Sequence, residues 1–229
     1  MLSPSLAYLA KPVKMKASHL QAADHNAWRN GVILLLFVGV ITALLAASFE
    51  LTRSAIQQNE QQAKLTWIAQ VLPPGSFDND LLSTGLTLPA DEMLGTRSPS
   101  HAWIARKQGR PTGFVLEAIA PEGYGGDIAL LIGINPRGEI TGVRVAAHRE
   151  TPGLGDYIEI TKSHWMTQFE DKSLVQPADT VWRVRQDGGV FDARAGATIT
   201  SRAVVKAVKL ALQYFLQHRL ELLTMAAPT

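Results

Sequence analysis

Three glycine-rich segments carry the residues best suited to hold a ligand. The first is Ala120–Gly126 (APEGYGG), in which Tyr124 stands among glycines. Gly123 and Gly125-Gly126 either shape a hairpin or let a ligand approach Tyr124. The second is His148–Asp156 (HRETPGLGD). Pro152 fixes φ, and Gly153 and Gly155 permit φ > 0 on either side of Leu154. That arrangement would push Leu154 outward and leave backbone N–H groups free, a wall for a flat apolar ligand, or else a plain surface loop. Glu150 and Thr151 would bond the polar edge of such a ligand or simply brace the loop. The third is Asp187–Ser201 (DGGVFDARAGATITS). Gly196-Ala197-Thr198 is small and open, Ile199 follows, and Thr200 and Ser201 offer N-caps to a helix. A helix N-terminus brings unpaired N–H groups and partial positive charge, so a phosphate beside Thr198 would be well placed. The alternative is that Thr198 and Thr200 only cap.

Other chemistries find no support. With no Cys there are no disulfides, thiolate metal sites, Cys-ligated Fe–S clusters or cysteine nucleophiles. No two of His19, His25, His101, His148, His164 and His218 stand at i, i+4, and no HExxH occurs, so no metal site is expected. His148-Arg149-Glu150 could supply one ligand pair at most. A GxSxG elbow, a P-loop and a GxGxxG are absent, and no catalytic residue is assigned. A net charge of +2 argues against a nucleic-acid partner.

The elements that must position these segments follow from the pattern. Gly31–Phe49 is apolar and uncharged. At 1.5 Å per residue it would span roughly 28 Å, close to a bilayer's hydrocarbon thickness. Lys11, Lys14, Lys16 and Arg29 precede it, and Arg53 and Lys64 follow. That bias predicts the N-terminus inside and the remainder outside. Residues 1–30 would then be a cytoplasmic segment and 31–49 a single transmembrane helix. Residues 50–75 would be a stalk helix stopped by Pro73-Pro74-Gly75, and 76–229 a periplasmic domain. Within that domain Asp80-Leu81-Leu82 suggests a short helical turn. His101–Arg106, Gly113–Ala120, Asp127–Asn135 and Glu139–Ala147 read as strands joined by turn residues. A helical piece is expected over Ile158–Gln168, a strand over Val181–Arg185, and a closing helix from Ser201 to about Leu223. Val204, Val205, Val208, Ala211, Leu212 and Phe215 form its apolar stripe. Ala226–Thr229 reads as a frayed tail. The fold class is α+β: one transmembrane helix and stalk, then an antiparallel-sheet domain with a closing C-terminal helix.

The motifs together resemble the G subunit of the Rnf-type ion-translocating electron transport complex, called Rsx in enterobacteria. The similarity runs through the span, the stalk, EGYGG, ETPGLGD, the DGGxFDxxxGAT segment and the closing helix. A similar FMN-binding domain occurs in the C subunit of the sodium-pumping NADH:quinone oxidoreductase; length and the run of motifs favour the Rnf family. The first thirty residues are longer than the family's.

The resemblance implies FMN joined by a phosphoester to the last Thr of a [ST]GAT motif, which is Thr198 here. The motif's preceding Ser or Thr is Ala195, a departure that removes a hydroxyl other than the acceptor. Asp192 matches the acidic residue that a flavin transferase reads. The implied maturation partner is a magnesium-requiring, FAD-dependent transferase of the ApbE type. A Thr hydroxyl is a weak nucleophile and no base is visible beside Thr198, so a separate enzyme makes chemical sense. Gly196, Ala197, Ile199, Thr200 and Ser201 would surround the phosphoester. Tyr124, Glu150, Thr151, Pro152, Gly153, Leu154 and Gly155 would surround the isoalloxazine. The implied function is electron relay through covalent FMN, in a complex with the A, B, C, D and E subunits. That complex couples ferredoxin/NAD-linked electron transfer to ion translocation in a bacterial inner membrane. Alternatives are the C subunit of the sodium pump and a non-redox periplasmic assembly module.

Overall fold

The computed structural model describes residues 17–225, with the backbone alone for 17–26 and 54–61. Lys11, Lys14 and Lys16, most of the expected cytoplasmic segment and the expected tail at 226–229 lie outside the described residues. The chain divides into two compact units between Gln58 and Asn59.

The described part of the first unit is helical. Helix α1 runs from Ala17 to Ala69, and its apolar stretch Ala27–Arg53 is long and apolar enough to cross a membrane. Leu34, Leu35, Phe37, Leu44 and Leu45 are all exposed there. A stripe of this length without a polar face suits a lipid surround rather than water.

The second unit begins with the last turns of α1. The helix ends at Ala69, before Pro73, and tightens on the way out: Val71 N–H donates to the Ile68 carbonyl and Leu72 N–H to that of Ala69. A sheet follows, made of β1 (Leu86–Leu88), β2 (Ser100–Lys107), β3 (Arg110–Gly123), β4 (Gly126–Ile134) and β5 (Ile140–Ala147). It is antiparallel throughout and the strands lie in chain order. Four strands fall where the apolar runs between turn residues place them; β1 is additional. Asp80-Leu81-Leu82 leads into a 3-10 turn at Leu82–Thr84.

The two faces of the sheet have separate cores. On one face, Phe114, Leu116, Ile132 and Val143 pack with Val204, Val208, Leu212 and Phe215 of helix α2 (Thr198–Met225). The Phe114 and Phe215 rings lie 5.1 Å apart. On the other, Trp103, Val115 and Leu131 pack with Ile68, Val71, Leu72 and Leu81. Val71 lies flat on this face, with its carbonyl accepting from the Thr141 hydroxyl at 2.6 Å. Burying such apolar side chains contributes roughly 1.5–3 kcal/mol each, so both faces stiffen the sheet.

Three expectations need correction. Ile158–Gln168 is not one helix but two 3-10 turns, Asp156–Ile158 and Trp165–Phe169. Ser163 breaks it: its hydroxyl donates to the Tyr157 carbonyl and accepts from Trp165 N–H. Val181–Arg185 is not a strand. The segment folds back on itself, with Phe191 N–H on Arg183 O, Arg185 N–H on Phe191 O, and a single bridge between Val184 and Phe191. Trp182 and Val184 still alternate inward, but toward Phe169 and Phe191 rather than along a sheet edge. The closing helix starts at Thr198, not Ser201. Thr200 and Ser201 are therefore inside its first turn and do not cap it.

Candidate functional site

The three glycine-rich segments meet at the N-terminus of α2. APEGYGG is the β3–β4 hairpin, with Gly123 paired to Gly126 and Tyr124 exposed at its tip. ETPGLGD crosses from β5 to the Asp156 turn. The GAT triplet enters α2. Between them lies a cavity of about 460 Å³, walled by Tyr124, Glu150, Thr151, Leu154 and Gly155, and by Gly196–Thr200. Its size falls within the ~300–1,000 Å³ of small-molecule clefts. A cleft of about 480 Å³ on the opposite face of the sheet, between Trp67 and Trp103, holds none of the candidate residues.

Leu154 is pushed outward as expected, 45% exposed, with Ile199 at 50% and Tyr124 at 69%. Three large exposed side chains at one cavity offer contact area suited to a planar aromatic ligand. The reason for the Leu154 geometry differs from the sequence expectation. Gly153 has φ of +77°, but Gly155 has φ of −90°, open to any residue. Gly155 is constrained by space: a Cβ there would lie 2.7 Å from Glu150 Oε2. Nor are the loop's amides free, since Leu154 and Gly155 N–H both donate to the Thr151 carbonyl. Pro152 and Gly153 sit exposed at the loop tip, outside the cavity wall.

Glu150 is buried, 5% exposed. Its Oε1 accepts from Gly125 N–H at 2.9 Å and its Oε2 from the Thr200 hydroxyl at 2.5 Å. Of the two roles open to it, bracing is the one its hydrogen bonds serve. Ser201 is engaged likewise, with Oγ 2.5 Å from the Tyr157 hydroxyl and 3.2 Å from the Ala197 carbonyl.

Thr198 is half-buried and its side chain opens into the cavity. The first backbone bond of the helix runs from Ser201 N–H to the Ala197 carbonyl, so the Thr198, Ile199 and Thr200 amides precede the ladder. Unpaired helix-end amides of this kind suit an anion beside the Thr198 hydroxyl. Asp192 stands apart from the cavity, exposed and paired with Arg185 Nε at 3.1 Å. The chain around it is fixed by Trp165 Nε1–H donating to its carbonyl and by its own N–H donating to Gln168.

Several supporting residues escaped the sequence reading. His148 accepts from Glu150 N–H through Nδ1 and meets Glu159 through Nε2. Lys162 bridges Asp156 and Glu159, and its hydrogen bonds hold both carboxyls below their usual range. Tyr157 is buried, which pushes its hydroxyl up, and Arg194 lies over its ring. The sequence signal was adjacency: HRE and GD lie within the segment already singled out and Tyr157 follows it directly.

A flat apolar wall, open helix-end amides and a hydroxyl fit the ring system and phosphate of FMN. Comparison with known proteins agrees. Residues 123–213 match the FMN-binding domain family, a range that contains every residue lining the cavity, and residues 15–71 match the RnfG N-terminal region. A Vibrio cholerae serotype O1 protein, named as the G subunit of the ion-translocating oxidoreductase complex, is 46% identical over 85% of this chain and 92% of its own length. Proteins of the same name from Pseudomonas aeruginosa (46%, over 88% and 94%) and Shewanella baltica (47%, over 82% and 88%) are similar. The chain belongs to the family of G subunits of ion-translocating oxidoreductase complexes, with an FMN-binding domain and one apolar helix suited to a membrane.

Proposed function

We propose that this chain is a membrane-anchored electron carrier whose FMN is esterified through its phosphate to Thr198. The observation that carries the reading is the single cavity joining the Thr198 hydroxyl, the free amides of the first turn of α2 and the apolar trio Tyr124, Leu154 and Ile199. Bound there, FMN would supply one- and two-electron redox chemistry, and the protein supplies binding and tuning. The amides of Thr198–Thr200 would hold the phosphoester charge, assisted by the helix dipole. Tyr124, Leu154 and Ile199 would exclude water from the ring faces. Glu150 and Ser201 act behind this wall, and Pro152 and Gly153 shape the loop.

Among the described residues no base hydrogen-bonds the Thr198 hydroxyl, which supports a separate flavin transferase of the ApbE type as the maturation partner. Asp192 is exposed where such an enzyme could read it. In this reading residues 1–30 are cytoplasmic, 31–49 span the inner membrane, 50–75 form the stalk and 76–229 lie in the periplasm. The A, B, C, D and E subunits are the partners, and ferredoxin/NAD-linked electron transfer drives ion movement.

The test is in-gel ultraviolet fluorescence of the denatured protein, co-expressed with and without a flavin transferase. A wild-type band that fluoresces and a dark Thr198→Ala band support the reading. A dark wild-type band beside an active transferase overturns it.

A further inference from the structure

We propose that Glu150 is a positioning residue for the FMN site. Its buried carboxylate clamps the β3–β4 hairpin and the ETPGLGD loop onto the first turn of α2, and so sets the shape in which Thr198 is presented. This deepens the reading of Thr198 as the attachment point and rests on it.

The clamp is built from both ends. Its two oxygens meet neutral donors on different segments: Gly125 N–H from the hairpin and the Thr200 hydroxyl from α2. A buried carboxylate is tolerated only where donors converge on it, and charge-assisted hydrogen bonds are the strong ones. The carboxylate is also the packing partner of both loops. A Cβ at Gly123 would stand 2.8 Å from Oε1, and one at Gly155 would stand 2.7 Å from Oε2. The hairpin rests directly on the preceding residue, since a Cβ at Gly125 would lie 2.0 Å from the Arg149 carbonyl oxygen. Behind the clamp, His148 Nδ1 accepts from the Glu150 N–H at 3.0 Å and fixes that backbone. Thr200 is two residues beyond Thr198 on one helical turn, and both line the cavity with Glu150. Whatever moves Thr200 moves Thr198.

Glutamine can keep the clamp: its amide oxygen accepts from Gly125 N–H, and its NH2 donates to a rotated Thr200 hydroxyl. Alanine cannot. The experiment uses the full-length protein co-expressed with a flavin transferase, as wild type, E150Q, E150A, T200V and T198A. The readouts are the rate at which in-gel flavin fluorescence appears and hydrogen exchange of the hairpin and the 148–156 loop. Exchange in β2 and in the middle of α2 reports that each variant is folded.

E150Q should label within a few-fold of wild type and well ahead of E150A, because it keeps an acceptor for Gly125 N–H and a donor to Thr200 Oγ1 while the Thr200 proton turns elsewhere. E150A should label at least ~10-fold more slowly, the scale expected when a reacting group is misplaced by a fraction of an ångström. Its hairpin should also exchange faster. T200V should slow labelling while Gly125 stays protected. Wild-type labelling in E150A overturns the clamp, as does E150Q failing as badly as E150A. If wild type stays as dark as T198A, the covalent reading fails instead. Hairpin exchange then judges the clamp alone: unchanged protection in E150A overturns it, and lost protection supports it.

Discussion

Two glycines on the ETPGLGD loop should fail for opposite reasons, and the difference is measurable. At Gly153, φ is +77° and nothing lies within 4 Å of an added Cβ. Gly153→Ala therefore costs only the left-handed backbone penalty, about 1–2 kcal/mol. At Gly155, φ is −90°, but the added methyl would lie 2.7 Å from Glu150 Oε2, 3.0 Å from Glu150 Cβ and 3.3 Å from Thr200 Oγ1. The carboxylate has to give way and surrender its bond to Thr200; a hydrogen bond to a charged group contributes about 1.5–3 kcal/mol. At ~2–4 °C per kcal/mol for a unit this size, Gly153→Ala should thus lower the melting temperature by roughly 2–8 °C and Gly155→Ala by roughly 3–12 °C. The assay is thermal unfolding of the full-length protein in detergent, followed by tryptophan fluorescence. The decisive arm is the same pair in an E150A background. There the carboxylate is gone but the contacts with the residue-150 Cβ and Thr200 Oγ1 remain, so the Gly155→Ala cost should fall clearly below its wild-type value, while Gly153→Ala keeps its full penalty. An undiminished Gly155→Ala cost in that background would refute the reasoning.

Further outcomes follow from the ion cluster and the buried tyrosine. Asp156 is held low chiefly by its hydrogen bond from Lys162 and then by Gly153 N–H, and Glu159 by Lys162 and then His148. A carboxyl depressed in the folded state stabilises above its unfolded pKa, and that contribution is lost as pH falls through the folded value. Denaturant midpoints should therefore fall from about pH 5 toward pH 3. Lys162→Met should flatten this acid limb; identical acid limbs would contradict the assignment. Lys162 itself is raised by Asp156 and then Glu159, so its contribution persists through neutral pH and is lost only as pH rises past its raised value. Tyr157→Phe should cost about 1 kcal/mol in chemical denaturation, because Ser201 keeps its bond to the Ala197 carbonyl and is not left unsatisfied. A loss above about 3 kcal/mol would mean that the Tyr157–Ser201 bond supports more than itself.

The sheet and closing helix were legible because their signals are local. Runs rich in Val, Ile and Leu lie between turn residues in β2–β5, and a 3.6-residue stripe marks α2. The 156–191 region was not, because there the same apolar residues serve tertiary packing. Trp182 and Val184 alternate as a strand would, yet the backbone partners are Phe191 and Gly189 a few residues on. Thr200 and Ser201 read as caps because their chemistry permits it. Only the fold reveals that Glu150 and Tyr157, 50 and 44 residues away, claim those hydroxyls. Gly155 looked conformational and is steric, a distinction no single sequence contains. Leu154, Tyr124 and Thr198 came together as expected, since each stands in a segment whose glycines mark close backbone approach.

The central claim is tested most directly by mapping the modified residue. Trypsin should release Ala195–Arg202 (AGATITSR), which holds three hydroxyls: Thr198, Thr200 and Ser201. Thr200 and Ser201 are fully buried with their hydroxyls hydrogen-bonded, whereas Thr198, which lines the cavity beside Thr200, has its hydroxyl unengaged. Fragmentation mass spectrometry of this peptide, from protein matured with a flavin transferase, should place one FMN phosphoester on Thr198. An unmodified peptide, or the group on Thr200 or Ser201, would contradict the account.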